Sequence, residues 1–277
     1  EGMLKLCVNW RGKQHDIFFS GLALNKRQFL YHHHSTISIR GENRMDCNCP
    51  DENALMSEQS VITDVILVRH GETTWNYGGI YQGQSESDLN DLGWRQAKAV
   101  AERLAKDSKI SALYSSDLKR AFDTATTIGE KCGLQVIQNS AWRERHLGKL
   151  QGLSRSEAHL LEPAAFQAIA SHRDNQPIPG GGESLNQLYD RTTSALEEIA
   201  NNHKGERVVV VTHGGVLRTL WTYAGGESTP GRVLNASINV FRKHENGNWF
   251  VHSWGDTTHL NGVGVLRSGF GGDRVSG

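Results

Sequence analysis

At 277 residues the chain can form one large or two small globular units, and 37% hydrophobic with 22% charged residues excludes collagen-like, disordered and disulfide-scaffold classes. Thirty Lys and Arg balance thirty Asp and Glu, so no overall field draws the chain to nucleic acid or to an anionic membrane surface, and any anion must be bound locally. The most apolar run, Val208 to Val211, is strand-sized and far short of the roughly 20 residues of a membrane span.

Residues 1–60 carry seven Lys or Arg against three acids through Arg44, a His32-His33-His34 tract and no sustained helical or strand period. They read as a poorly ordered extension or leader, with Met45 or Met56 as the working start; the Ser and Arg enrichment of a transit peptide is weak. Consecutive His side chains cannot converge on one ion, so the tract is expected to be incidental and no metal or cofactor is expected. Cysteines at 7, 47, 49 and 132 form neither a disulfide framework nor a C-x-x-C pair, which points to a reducing, cytoplasmic setting, or a plastid if the extension is a transit peptide.

From Val61 onward Val/Ile-rich runs alternate with amphipathic stretches, the pattern of a three-layer α/β/α sandwich on a mostly parallel sheet, and residues 61–277 read as the folded domain. Strands are predicted at Val61–Arg69, Ile110–Tyr114, Leu134–Gln138 and Arg207–Thr212, the first and last being continuous apolar runs suited to burial on both faces. Helices are predicted over Asp91–Lys106, over Asp117–Cys132 behind a Ser116 cap and before Gly133, and over Ser184–Asn201. Ser154–Ser171 is a fourth, interrupted by Pro163. Asn175–Gly182 is a loop, and Gly269–Gly277 a mobile tail.

Two of the buried runs end alike, Val68-Arg69-His70-Gly71 and Val211-Thr212-His213-Gly214-Gly215. In a parallel sheet both carboxyl ends share one edge, with neighbouring strands about 4.8 Å apart, so two imidazoles can face one ligand. Arg69 precedes the first His, and Ser115-Ser116-Asp117-Leu118-Lys119-Arg120 places a second Arg in the first turn of a helix entered from a strand. Guanidinium forks and a helix N-terminus suit a phosphoryl dianion. Taken alone, Arg120 would read as a surface residue pairing with Asp123, and Glu144 as part of a surface charge cluster.

Arg69-His70-Gly71-Glu72-Thr73 resembles the signature of the histidine phosphatase, or phosphoglycerate mutase-like, superfamily. Blocks at 115 (Ser-Ser-Asp-Leu-Lys-Arg-Ala), 143 (Arg-Glu-Arg-His-Leu-Gly), 180 (Gly-Gly-Gly-Glu-Ser) and 211 (Val-Thr-His-Gly-Gly) follow in the order of its plant phosphoglycerate mutase-like members, from about Val61 to about Phe250. The resemblance implies that His70 takes the phosphoryl group, that Arg69, Asn76, Arg120 and His213 hold its oxygens, and that Gln82-Gly83 line the entrance. It also makes Glu144 the proton donor, with Gly214 and Arg155 as further substrate contacts. Such a nucleophile needs a neutral ring nitrogen, which neighbouring Arg charges favour, and Glu144 must hold a proton when the leaving group departs.

Mutases of this family carry a longer insertion before the second His, with paired Arg residues, and read His-Gly-Asn there. Here 68 residues separate Glu144 from Thr212 and the motif is His213-Gly214-Gly215, which favours hydrolysis of a small phosphate monoester. In the other direction, the block from Glu144 to Leu153 is mutase-like, with Arg155 where mutases place a basic contact and Leu147 where they place Tyr. A mutase is therefore the alternative, and a non-catalytic binder of phosphorylated metabolites a third reading. No oligomeric state is predicted.

Overall fold

The computed structural model describes residues 4–10, 13–19, 62–171, 173–226 and 231–265. The His32–His34 tract and the 269–277 tail lie outside these. Two units are described separately, 1–58 and 59–277. In the first, β1 (Leu4–Trp10) pairs antiparallel with β2 (Lys13–Phe19) from Leu4↔Phe19 to Trp10↔Lys13. Leu4, Leu6, Val8 and Trp10 alternate with less apolar residues, a short period-2 signal where none was expected.

In the second unit the valine run lies inside the sheet. The strands β3 (Thr63–Arg69), β4 (Ile110–Ser115), β5 (Val136–Gln138) and β6 (Arg207–Thr212) are joined by β7 (Ile238–Lys243) and β8 (Trp249–Asp256) in the order β5-β4-β6-β3-β7-β8. The first four are mutually parallel where they pair; β7 runs antiparallel to β3, and β8 to β7. Val208 and Val210 enter one apolar layer with β3's Val65 and Leu67, while Val209 and Val211 enter the other with Ile66 and Val68. Each fully buried Val or Leu contributes about 1.5–3 kcal/mol, so a one-residue slip, which exchanges the two faces, is strongly opposed.

The helices supply the two outer layers. Leu188, Leu196 and Ile199 of α6 (Leu185–Asn202) and Val216, Leu217 and Leu220 of α7 (Gly214–Tyr223) pack on the first face. On the second lie α2 (Asp91–Leu104) and α3 (Lys119–Cys132), through Val100, Ala101, Leu104, Ala121, Ala125 and Ile128. This is the expected three-layer sandwich. The Ser154–Ser171 stretch divides at Glu162 into α4 (Arg155–Leu161) and α5 (Pro163–Ala170), with Pro163 in the first turn, where its missing N–H costs nothing. Tyr81, Leu147, Leu150, Ala158, Ala165 and Ile178 form a third apolar cluster there.

The sequence reading stopped its strands at Thr212 and placed no helix after His213, so β7, β8 and α7 are additions. The helix expected from Asp117 starts instead at Lys119, with Leu118 as a cap that makes no side-chain bond. Ser116 does not cap it because the hydroxyl is fully buried at the sheet edge, where it meets His213.

Close packing explains Gly71 and Gly93. A Cβ on Gly93 would stand 1.9 Å from the Glu72 carbonyl oxygen, and one on Gly71 2.6 Å from the Gly93 oxygen. The start of α2 can therefore lie against the turn after β3 only without those carbons. Gly93→Ala should lose about 1–3 kcal/mol of folding stability in urea titrations, and an unmoved midpoint would refute the close approach.

Candidate active site

The register Arg69↔Thr212 between β3 and β6 sets His70 and His213 side by side at the carboxyl edge, with ring centroids 5.1 Å apart and planes inclined by 56°. Strand β4, on the other flank of β6, delivers Ser116 to the same edge, where its Oγ lies 2.9 Å from His213 Nε2. A small cleft opens there, lined by Arg69, His70, Asn76, Ile80, Tyr81, Gln82, Gly83, Arg120, Glu144 and Leu147. Seven of the residues singled out in the sequence therefore line one cleft; His213 is outside the lining, next to His70.

The charge state of His70 follows from its surroundings. Burial, then the charges of Arg120 and Arg69, hold its pKa well below 6.5. Its Nδ1 is 2.7 Å from the Gly71 carbonyl oxygen, which can only accept, so Nδ1 carries the ring proton and Nε2 keeps its lone pair. His213 is likewise held well below 6.5 by burial, then by Arg120, His70, Arg69 and Arg191.

Arg120 is fully buried, and burial brings it down to about 10, still a cation at neutral pH. Its Nη1 and Nη2 donate to the Ser85 and Gly83 carbonyls at 2.9 and 2.6 Å, tying the loop after Gln82 to α3. The Asp123 pairing conceivable for Arg120 goes instead to Lys119, at 2.7 Å. Arg69 donates to the Val233 carbonyl. Asn76, inside the capping box of α1 (Thr74–Gly78), receives bonds at Oδ1 from Thr73 N–H, Thr73 Oγ1 and Asn235 Nδ2, which fix the amide's orientation.

Glu144 is buried, with Oε1 accepting from Arg145 N–H at 2.8 Å and Oε2 from Gly215 N–H at 3.1 Å. Its segment is clamped from behind by Arg191. Nη1 of Arg191 donates to the Ala141 and Arg143 carbonyls, and Nη2 to the Glu144 carbonyl and to Glu183 Oε2. Glu183 also accepts from His146 N–H, at 2.9 Å. The Arg143–Asp117 fork, at 2.7 and 2.6 Å, joins the segment to the approach to α3.

Two of the sequence candidates stand elsewhere. Arg155 is exposed at the start of α4, its guanidinium 5.8 Å from the Phe166 ring centre and outside the cleft lining. Gly214 opens α7 without lining the cleft, and the neighbouring Gly215 supplies the bond to Glu144. Ser116, Arg191, Glu183 and Asn235 were missed, although the first and third lie inside motifs already noted. Among the described residues no three His, Cys, Asp or Glu side chains form a cation site.

Chemically, the site pairs a neutral imidazole lone pair with two guanidinium groups, a second imidazole and a carboxylate around one cleft. That set can neutralise a phosphoryl group, attack it and move a proton. The histidine phosphatase superfamily (branch 1) model matches residues 65–257. The chain belongs to the histidine phosphatase superfamily. It is 51% identical to phosphoglycerate mutase-like protein 4 of Arabidopsis thaliana over 229 residues, 82% of this chain and all of that one. It is 52% identical to the metal-independent phosphoserine phosphatase of the same plant, over 78% of this chain and 90% of that one. Among solved structures, a mycobacterial glucosyl-3-phosphoglycerate phosphatase superposes with a TM-score of 0.63 at 31% identity, covering 71% of this chain and all of that one.

Because His70 and His213 are held below 6.5, the unfolded chain binds protons that this histidine phosphatase does not take up until lower pH. Their contribution to folding stability is complete above 6.5 and is lost as pH falls through that value toward the lowered folded ones. The acid limb of kcat/KM on a phosphomonoester should accordingly lie below 6.5, and a pH–rate profile with its limb at or above that value would contradict the assignment. Arg191→Lys, which cannot reproduce the fork, should lower kcat roughly 100-fold by displacing Glu144, with KM little changed in steady-state assays.

Proposed function

We propose that this histidine phosphatase hydrolyses small phosphomonoesters through a phosphohistidine at His70. The observation that carries this is the placement of His70, with Nδ1 2.7 Å from the Gly71 carbonyl oxygen and its ring centroid 5.1 Å from that of His213, beside buried Arg69 and Arg120. His70 Nε2 attacks phosphorus in line, while Arg69, Arg120, Asn76 and His213 hold the oxygens on which charge develops. Glu144 gives a proton to the departing alkoxide and then takes one from the water that releases phosphate. Gln82 and Gly83 border the entrance.

The substrate is proposed to be a small phosphorylated acid. Phosphoserine and glucosyl-3-phosphoglycerate, named in relatives, both carry phosphate on a three-carbon acid. Hydrolysis is favoured over phosphoryl return because Arg155, the basic contact the mutase reading needs, lies in solvent and because α4, α5 and α6 occupy the chain between Glu144 and His213. Residues 61–277 are taken as the catalytic domain, in the cytoplasm, or in a plastid if the extension is a transit peptide. No helix among the described residues is long and apolar enough to cross a membrane.

The test incubates the chain with labelled O-phosphoserine and with 3-phosphoglycerate, then quenches in alkali. Free phosphate and an acid-labile adduct are expected, and His70→Ala should lose both, with turnover down at least roughly 1,000-fold. Formation of 2-phosphoglycerate stimulated by the bisphosphate would favour the mutase instead, and binding without either product would leave a metabolite-binding protein.

A further inference from the structure

Which nitrogen of His213 bears its proton is not a free choice in this fold. The ring is fully buried and neutral, so one nitrogen donates and the other accepts. Nε2 lies 2.9 Å from Ser116 Oγ, whereas Nδ1 is buried with no hydrogen-bond partner. Ser116 is itself held on three sides. Its N–H donates to the Val211 carbonyl at 3.0 Å, its carbonyl accepts from Ser115 Oγ at 2.8 Å, and its Oγ accepts from Leu118 N–H at 3.3 Å. Among the described residues the only acceptor offered to the Ser116 hydroxyl proton is His213 Nε2.

We infer that Ser116 is a positioning residue that donates to His213 Nε2 and so places the ring proton on Nδ1, the nitrogen left to meet a phosphoryl oxygen. The opposite tautomer would strand the Ser116 proton and turn a bare lone pair toward the incoming dianion, a repulsive contact in a buried site. The pair therefore resembles the neighbouring His70 in logic with the nitrogens' duties exchanged. In His70 a carbonyl acceptor puts the proton on Nδ1 and leaves Nε2 to attack; in His213 a hydroxyl donor occupies Nε2 and leaves Nδ1–H to bind. The inference rests on the hydrolytic reading of this site, and its test separates the two.

The full chain labelled with ¹⁵N-histidine is studied by multiple-bond ¹H–¹⁵N spectra, with His213 assigned from the signals lost in His213→Gln. The expected spectrum has a protonated Nδ1 and a pyridine-type Nε2; a protonated Nε2 overturns the inference. In parallel, Ser116→Cys, close in volume but a poor donor, and Ser116→Ala should lower kcat for O-phosphoserine on the order of 100-fold with KM little changed. They should weaken inhibition by vanadate, a mimic of the five-coordinate transition state, by a similar factor, and Ser116→Thr should restore kcat. Unchanged kcat and vanadate inhibition in a folded Ser116→Cys protein also overturn it. If these variants do not fold, the wild-type spectrum decides alone. Wild-type protein that shows the Nδ1–H tautomer yet releases no phosphate sinks the hydrolytic proposal and leaves the Ser116 assignment standing.

Discussion

The parallel pairing of β3 with β6, in the register that sets Arg69 beside Thr212, is the constraint on which the site depends. Both strands are buried on both faces, so their alternating apolar residues serve two cores at once, and the register that satisfies one layer satisfies the other. The functional edge inherits that precision. Two imidazoles that are far apart in sequence meet because several valines and leucines on each side cannot slide.

That edge concentrates positive charge where solvent does not reach, and the surrounding backbone carries much of the compensation. Arg120 is answered by the carbonyls of Gly83 and Ser85, and Arg69 by that of Val233. Carbonyl partners hold a guanidinium in place without cancelling its charge, so the field available to a bound dianion, and to the neutral state of both histidines, is preserved. The loop before β7 adds a strained element. Ala236 adopts φ 55°, unusual for a residue with a Cβ, while its N–H donates to the Arg69 and His70 carbonyls. Asn235 Nδ2 donates to the His70 and Gly71 carbonyls and to Asn76 Oδ1, so a segment remote in sequence braces the end of β3.

The devices that orient the reactive groups form an outer ring of polar side chains with few distinguishing features as residues. Ser116 looked like a helix cap, which is what a serine before a helix usually is. Glu183 lies in a glycine-rich block whose local reading is a loop, and Arg191 within the helix predicted over Ser184–Asn201, where a charged residue reads as solvated surface. Arg155 erred in the other direction: alignment with a family motif placed it near substrate, but α4 turns it outward over Phe166.

The amino-acid pattern by itself determined the layered α/β class and the parallel central strands, and it marked His70 and His213 as candidates to share one sheet edge. Continuous β-branched runs are readable without coordinates because burial on both faces demands them, and His and Arg at their ends are rare enough to notice. Only the tertiary structure decided which nitrogen each histidine presents, what holds Glu144 in place and that β7 and β8 complete the sheet. His213 meets Ser116, and Glu144 meets Gly215, across tens of residues, while His70 answers to the carbonyl of the next residue; in each case a single polar group sets the outcome and leaves no period or spacing in the chain to betray it.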